Sequence, residues 1–226
     1  MNDFATSTAV ERRAGRGFPP AGVRVAVFDV VGTLVEPWPP VPVAYEAAGR
    51  RHGVVLDVEE IRRRFHAAWR RQEGLDAVAR PPFATSPARE AERWRAIVAD
   101  VFDDPDRTAA IFADLWTHFG RAEAWRPLAG GQRLVRTALD AGLTVALASN
   151  FDERLLAIVP VVEPLRLAHH VFPSSAIGWR KPAAEFFRWV EDRLGCRGDE
   201  LVLVGDDPEL DLAAAARAGW WTHPAT

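Results

Sequence analysis

Three apolar runs in this sequence end on residues that could do chemistry. In "VRVAVFDVVGTLVEP" (23–37) the run reaches Asp29, with Gly32 and Thr33 beyond it; "GLTVALASN" (142–150) ends on Ser149 and Asn150; "ELVLVGDD" (200–207) ends on Asp206 and Asp207, with Asp211 close behind. An aspartate at the tip of a buried strand is well placed as a nucleophile. The glycine lets the chain turn sharply, and the threonine hydroxyl can donate to an anionic group. Asp206 with Asp207 or Asp211 adds further carboxylates, and oxygen-only ligation of that kind suits Mg²⁺. Ser149 and Asn150 offer hydroxyl, amide and main-chain donors to phosphoryl oxygens. Together these parts fit displacement at phosphorus.

The 28 basic residues comprise 27 arginines and one lysine, Lys181. A bias that replaces lysine by arginine everywhere else should have replaced this one too, unless its chemistry needs a compact ammonium rather than a planar guanidinium. Chance survival is the alternative. The acids at the strand ends favour a role, because a set of carboxylates and phosphoryl oxygens needs a balancing positive charge.

The elements that must position these groups can be read from periodicity. The three apolar runs are β-rich and near-continuous, which suits strands buried on both faces of a parallel sheet. Helix-like segments follow: "DERLLAIV" after the second run, and "PELDLAAAARAG" after the third, with Asp207 as N-cap or metal-shell residue, Pro208 at the first helical position and Gly219 past the end. Between the second and third runs, "KPAAEFFRWVEDRLG" (181–195) starts with Pro182 and stops at Gly195. Alternating strands and helices predict a parallel α/β sheet with its ligands at the carboxyl ends of the strands. Residues 38–124 read as helices instead. One opens with the capping pair Asp57 and Glu60 and stripes Ile61, Phe65 and Trp69; a second stripes Trp94, Val98, Val101 and Phe102; a third stripes Ile111, Leu115 and Phe119. The expected organisation is a polar, disordered tail over 1–22, a core of 23–37 plus 125–226, and a helical cap over 38–124. The segments "EPWPPVP" (36–42) and "AWRPLAGG" (124–131) are read as its hinges.

Composition excludes several partners. With 226 residues, 48% hydrophobic, 26% charged and a formal net charge of −3, the chain has no global positive field to draw nucleic acid or anionic lipid, and no apolar run near the ~20 residues of a membrane helix. The single Cys196 excludes an internal disulfide, and residues 1–22 lack the apolar core of a secretory signal. A cytoplasmic monomer or homodimer acting on a small phosphorylated molecule is the expectation. The remaining features take bland readings. The arginines around "RRRF" lie on a solvated helix face, His169 and His170 form a loop pair, and Cys196 is structural. Most of the nine tryptophans pack core and cap, with one or two lining a substrate pocket.

In four ordered blocks, "VFDVVGTL", "ALASN", "GWRKPAAEFF" and "VGDDPELD", the sequence resembles the haloacid dehalogenase-like superfamily, with separations of 120, 32 and 25 residues between Asp29, Ser149, Lys181 and Asp206. The resemblance implies a Rossmannoid three-layer α/β core with an inserted helical cap. It implies that Asp29 becomes an aspartyl-phosphate and that Ser149 binds the phosphoryl group with Gly32 and Asn150. Lys181 would stabilise the charges, Thr33 would support the loop, and Mg²⁺ would be held by Asp29, the Val31 carbonyl, Asp206 and Asp211. The insert, with Tyr45, Gly53, Phe65 and Trp94 at fitting spacing, resembles the branch of the rhythmically-expressed-gene-like proteins and the third type of haloacid-dehalogenase-like hydrolase domain-containing protein.

Val31 departs from the phosphatase pattern, which has a second aspartate there to protonate the leaving alkoxide and then activate water. General acid–base help of this kind is worth ~10²–10⁴-fold, and valine cannot transfer a proton. Four readings follow: a phosphohydrolase whose leaving group is already stable as an anion; a metal-independent 2-haloacid dehalogenase, against which "GDDPELD" counts; a phosphonoacetaldehyde hydrolase, which needs a cap lysine that this chain lacks; and a fold that binds or regulates with impaired turnover. The expected activity is a Mg²⁺-dependent phosphohydrolase, slow on ordinary esters.

Overall fold

The computed structural model describes residues 17–225. Its elements in chain order are β1 (Val25–Phe28), β2 (Val35–Pro37), α1 (Val41–Arg51), α2 (Val58–Val78), α3 (Pro87–Phe102), α4 (Pro105–Phe119), β3 (Trp125–Pro127), α5 (Ala129–Asp140), β4 (Thr144–Ser149), α6 (Leu155–Ile158), β5 (His170–Pro173), α7 (Ser174–Ile177), α8 (Ala184–Leu194), β6 (Leu201–Gly205), α9 (Ala214–Arg217) and β7 (Trp221–Pro224).

Five strands form one parallel sheet in the order β5-β4-β1-β6-β7. The three predicted strands are its centre, and their unbroken apolar character has the expected cause. Ala26, Phe28, Val145, Leu147, Val202 and Val204 face α5 with Val135 and Ala138, while Val25, Val27, Ala146, Ala148, Leu201 and Leu203 face Phe186, Phe187 and Val190 of α8. Both faces are covered, so polar alternation has no place. Strand order reverses beside β1: the chain runs outward through β4 and β5, then returns to β6 on the other side. That switch opens a crevice at the carboxyl ends of β1 and β6, where open α/β sheets bind ligands.

The insert is helical as predicted. Asp57 accepts from the N–H groups of Glu59 and Glu60 at 2.9 Å, and Ser86 and Asp104 cap α3 and α4. The capping pair is one-sided, because the Glu60 carboxylate pairs with Arg63 and Arg64 instead of returning to Asp57. The striped residues Ile61, Val98, Val101, Phe102, Ile111 and Leu115 form a core of their own with Tyr45 and Ile97, which the stripe did not include. Arg62, Arg63 and Arg71 sit on the solvated face, paired with Glu59, Glu60 and Asp100.

Several local expectations need correction. Residues 1–16 of the expected tail lie outside the described residues, but 17–22 do not behave as a tail: the Phe18 ring packs 6.3 Å from Phe28 and 4.9 Å from His223. Part of each expected hinge is strand: β2 and β3 pair antiparallel, with Glu36 opposite Arg126 and Pro37 opposite Trp125, while α1 begins at Val41 and α5 at Ala129. Helix α6 is only four residues long, because Pro160 ends it. Helix α8 begins at Ala184, not at Pro182, because the main chain of Lys181 is held by the Asn150 side chain. His170 opens β5 and stacks on Phe172, and His169 Nδ1 accepts from the Val145 N–H. Cys196 is buried, its thiol 3.6 Å from the Leu194 carbonyl. No helix among the described residues is long and apolar enough to cross a membrane.

Candidate active site

Asp29 leaves β1 with its N–H bonded to the Val204 carbonyl (2.9 Å), so the strand pairing that builds the sheet also fixes the acid at its tip. The residue is 7% exposed. Lys181 Nζ donates to Asp29 Oδ1 at 2.7 Å and to Asp211 Oδ1 at 2.5 Å, which places the chain's one lysine between two buried carboxylates. Asn150 holds Lys181 there: Nδ2 donates to the Lys181 carbonyl (3.0 Å) and Oδ1 accepts from the Lys181 N–H (2.8 Å). The amide expected among the phosphoryl donors is therefore engaged at both ends, leaving only its second N–H.

Asp206 stands across the crevice, with the Thr33 hydroxyl donating to its Oδ1 at 2.9 Å. Thr33 thus orients a carboxylate, a more specific task than offering its hydroxyl to any anion. Gly32 has φ of +91°, and a Cβ there would land on the Asp206 carboxylate; one at Gly205 would land on Asp211. Both glycines are needed for close approach. Asp207 is an N-cap, accepting from the Glu209 and Leu210 N–H groups at 2.8 Å. The turn after it, 208–213, is a π-helical turn, with the Asp211 and Leu212 N–H groups both 3.2 Å from the Asp207 carbonyl. This widened turn carries Asp211 back to Lys181, a use of π-turns that recurs at functional sites. Ser149 is buried at the tip of β4, next to Asn150, and Val31 follows in the loop after Asp29.

Carboxylate oxygens of Asp29, Asp206 and Asp211 all lie within 4.8 Å of one another. Three acids against one ammonium leave a surplus of negative charge. Burial pushes the Asp29 carboxyl up to about 7 against the pull of Lys181, and Asp211 and Asp206 push the same way. For Lys181, burial opposes the charged form, but Asp29 and Asp211 outweigh it and hold the ammonium above its usual range. Burial also raises Asp206, which the Thr33 hydrogen bond partly offsets. Oxygen-only donors with excess negative charge, two of them buried and Asp206 open to solvent, fit a hard divalent cation.

Above this cluster, between sheet and insert, lies a cavity of about 550 Å³. Val31, Gly32, Asn150 and Asp206 form its floor, and rings from the insert form most of the wall. The matching family model, described as haloacid dehalogenase-like hydrolase, covers residues 23–219. The chain belongs to the haloacid dehalogenase-like hydrolase family. Among curated relatives, this family member is 26% identical over 212 residues to haloacid dehalogenase-like hydrolase domain-containing protein 3 of Bos taurus, covering 87% of this chain and 79% of that protein. It is 24% identical to rhythmically expressed gene 2 protein of Drosophila melanogaster, covering 87% and 80%. Among solved structures it is similar to a defluorinating L-2-haloacid dehalogenase, Rha0230 (TM-score 0.68, 20% identity, covering 88% of this chain and 80% of that one). It is also similar to a predicted phosphoglycolate phosphatase from Haemophilus somnus 129PT (TM-score 0.64, 15% identity, covering 92% and 85%). At those identities the likeness is one of fold, shared by proteins named for different chemistries.

Sequence reasoning missed a second charged cluster in this hydrolase. Arg180, 2% exposed, donates to both Glu90 carboxylate oxygens (2.9 and 3.1 Å) and to Glu73 (3.1 Å); Arg93 pairs with Asp76 and Glu73, and Arg89 with Asp76. Three arginines and three acids tie α2 and α3 to the loop that carries Lys181. The only local signal was Arg180 preceding the single lysine.

Proposed function

We propose that this chain is a Mg²⁺-dependent phosphohydrolase that acts on a small phosphorylated molecule through an aspartyl-phosphate at Asp29. The observation that carries the reading is the buried Asp29–Lys181–Asp211 contact with Asp206 at the same crevice. Asp29, Asp206 and Asp211 would hold the metal, which when bound supplies positive charge against the transferring phosphoryl oxygens. Lys181 neutralises charge on the nucleophile side and fixes the Asp29 carboxylate in place. Thr33 keeps Asp206 turned toward the crevice. Ser149, at the tip of the adjoining strand, is the remaining candidate for a phosphoryl contact.

Retention of all three carboxylates supports phosphoryl transfer over metal-independent dehalogenation, since halide departure from carbon has no use for a cation site. Val31 is the observation that favours the dehalogenase reading, because halide needs no proton. The two separate cleanly: halide release from 2-haloacids that persists in EDTA belongs to the second. The test of the first is beryllofluoride binding followed by thermal shift. Wild type is expected to be stabilised by beryllofluoride only with Mg²⁺ present, and Asp29→Asn is expected to lose the effect. No stabilisation in wild type, or equal stabilisation in Asp29→Asn, would overturn it.

A further inference from the structure

Two features that the phosphohydrolase reading leaves unexplained point to the same substrate chemistry. The first is the wall of the cavity. Nine of its twenty lining residues carry a Phe, Tyr or Trp ring. Phe65, Trp69, Trp94 and Phe112 come from the insert, and Trp125 and Phe151 from the sheet side. The one guanidinium there is already matched: Arg154 Nε and Nη2 donate to the two Asp152 oxygens at 2.7 Å each, Nη1 donates to the Trp116 carbonyl at 2.7 Å, and the group lies 3.5 Å over the Trp116 ring. Apart from His66, the Tyr45 hydroxyl and the indole N–H groups of Trp69, Trp94 and Trp116, the insert's side of the cavity offers a ligand apolar and aromatic surface. A second phosphate, a carboxylate or a polyhydroxylated sugar would lose its hydration against these rings and find scattered neutral donors but no uncommitted cation among the lining residues. The second feature is Val31 on the cavity floor, where no proton can be given to a departing oxygen.

We infer that the substrate is an aryl phosphate monoester, with its ring in the aromatic cavity and its phosphoryl group at Asp29. The inference rests on the phosphohydrolase reading. An alkoxide is a poor leaving group without an acid. A phenol, with a pKa near ~10 like that of tyrosine, leaves as the aryloxide far more readily. In the first step an Asp29 oxygen bonds to phosphorus, the bond from phosphorus to the aryl oxygen breaks, and its electron pair departs on the aryloxide, which takes a proton from solvent. In the second step water attacks the same phosphorus, the bond to the Asp29 oxygen breaks, and both protons of the water leave with the released dihydrogen phosphate. No step calls on residue 31 for a proton.

The test uses the full chain with Mg²⁺ and two readouts. For binding, phenylphosphonate and methylphosphonate are titrated against tryptophan fluorescence. Burial of the ring should make the first about 10- to 100-fold tighter, and Trp94→Ala should narrow that difference. For turnover, 4-nitrophenyl, phenyl and benzyl phosphates are compared. The value of kcat/KM, which reports the steps up to departure of the leaving group, should rise with leaving-group acidity, benzyl phosphate should be about 100-fold or more below phenyl phosphate, and Val31→Asp should narrow the gap. Acetyl phosphate, with an acidic leaving group but no ring, should turn over with a raised KM. Equal binding of the two phosphonates, equal kcat/KM for benzyl and phenyl phosphates, or preference for a sugar phosphate would each overturn the inference. If beryllofluoride still binds at Asp29 in that case, the phosphohydrolase reading survives; if it does not, both fall.

Discussion

A few residues decide what this site can be. Asp29 is held by the strand that precedes it, and its ammonium partner lies 152 residues away, delivered by a loop and braced by Asn150. Gly32 shows how narrow the tolerances are, since its positive φ and the nearby Asp206 carboxylate together exclude a side chain. Gly32→Ala is expected to lower thermal stability and abolish Mg²⁺-dependent beryllofluoride stabilisation. Retention of the full wild-type response would show that the loop relaxes freely. At this scale much was legible: an acid at a strand tip, a glycine at the turn, and a lone lysine are visible as letters. The Asn150 brace was not, because its partner is main chain 31 residues on.

Elements explain a burial of charge that no reading of the sequence anticipated. Arg180 and Glu90 are 90 residues apart, and Arg93, Asp76, Glu73 and Arg89 complete their network. Removing one member leaves a buried charge unmatched, which typically costs about 3–5 kcal/mol, whereas replacing both by apolar residues can be near neutral. Urea unfolding should therefore show Arg180→Met losing stability on that scale and Arg180→Met with Glu90→Met recovering part of it. A double variant as weak as the sum of the two singles would mean that the pair is not coupled. Long amphipathic helices were readable from their stripes. The strands β2, β3, β5 and β7 were not, since no long apolar run marks them and each exists through its partner.

The whole molecule is a sheet whose reversal of strand order collects carboxylates at one crevice, closed over by a helical insert with its own core. A cation that binds only the folded state should raise its stability by about 2.7 kcal/mol at a hundredfold excess over Kd. Differential scanning calorimetry with increasing Mg²⁺ should show a rising Tm in wild type and a much weaker rise in Asp206→Asn. A flat response in wild type would argue against the metal site. The sequence by itself determined the fold class, the order of its blocks and the acids at the strand tips, because apolar runs, caps and turn residues act over a few positions along the chain. Only the tertiary structure decided that Lys181 lies between Asp29 and Asp211, that Arg180 locks the insert to the core, and that Val31 opens onto an aromatic cavity. Those facts are contacts between residues far apart in sequence, which exist only once the sheet and the insert have closed on each other.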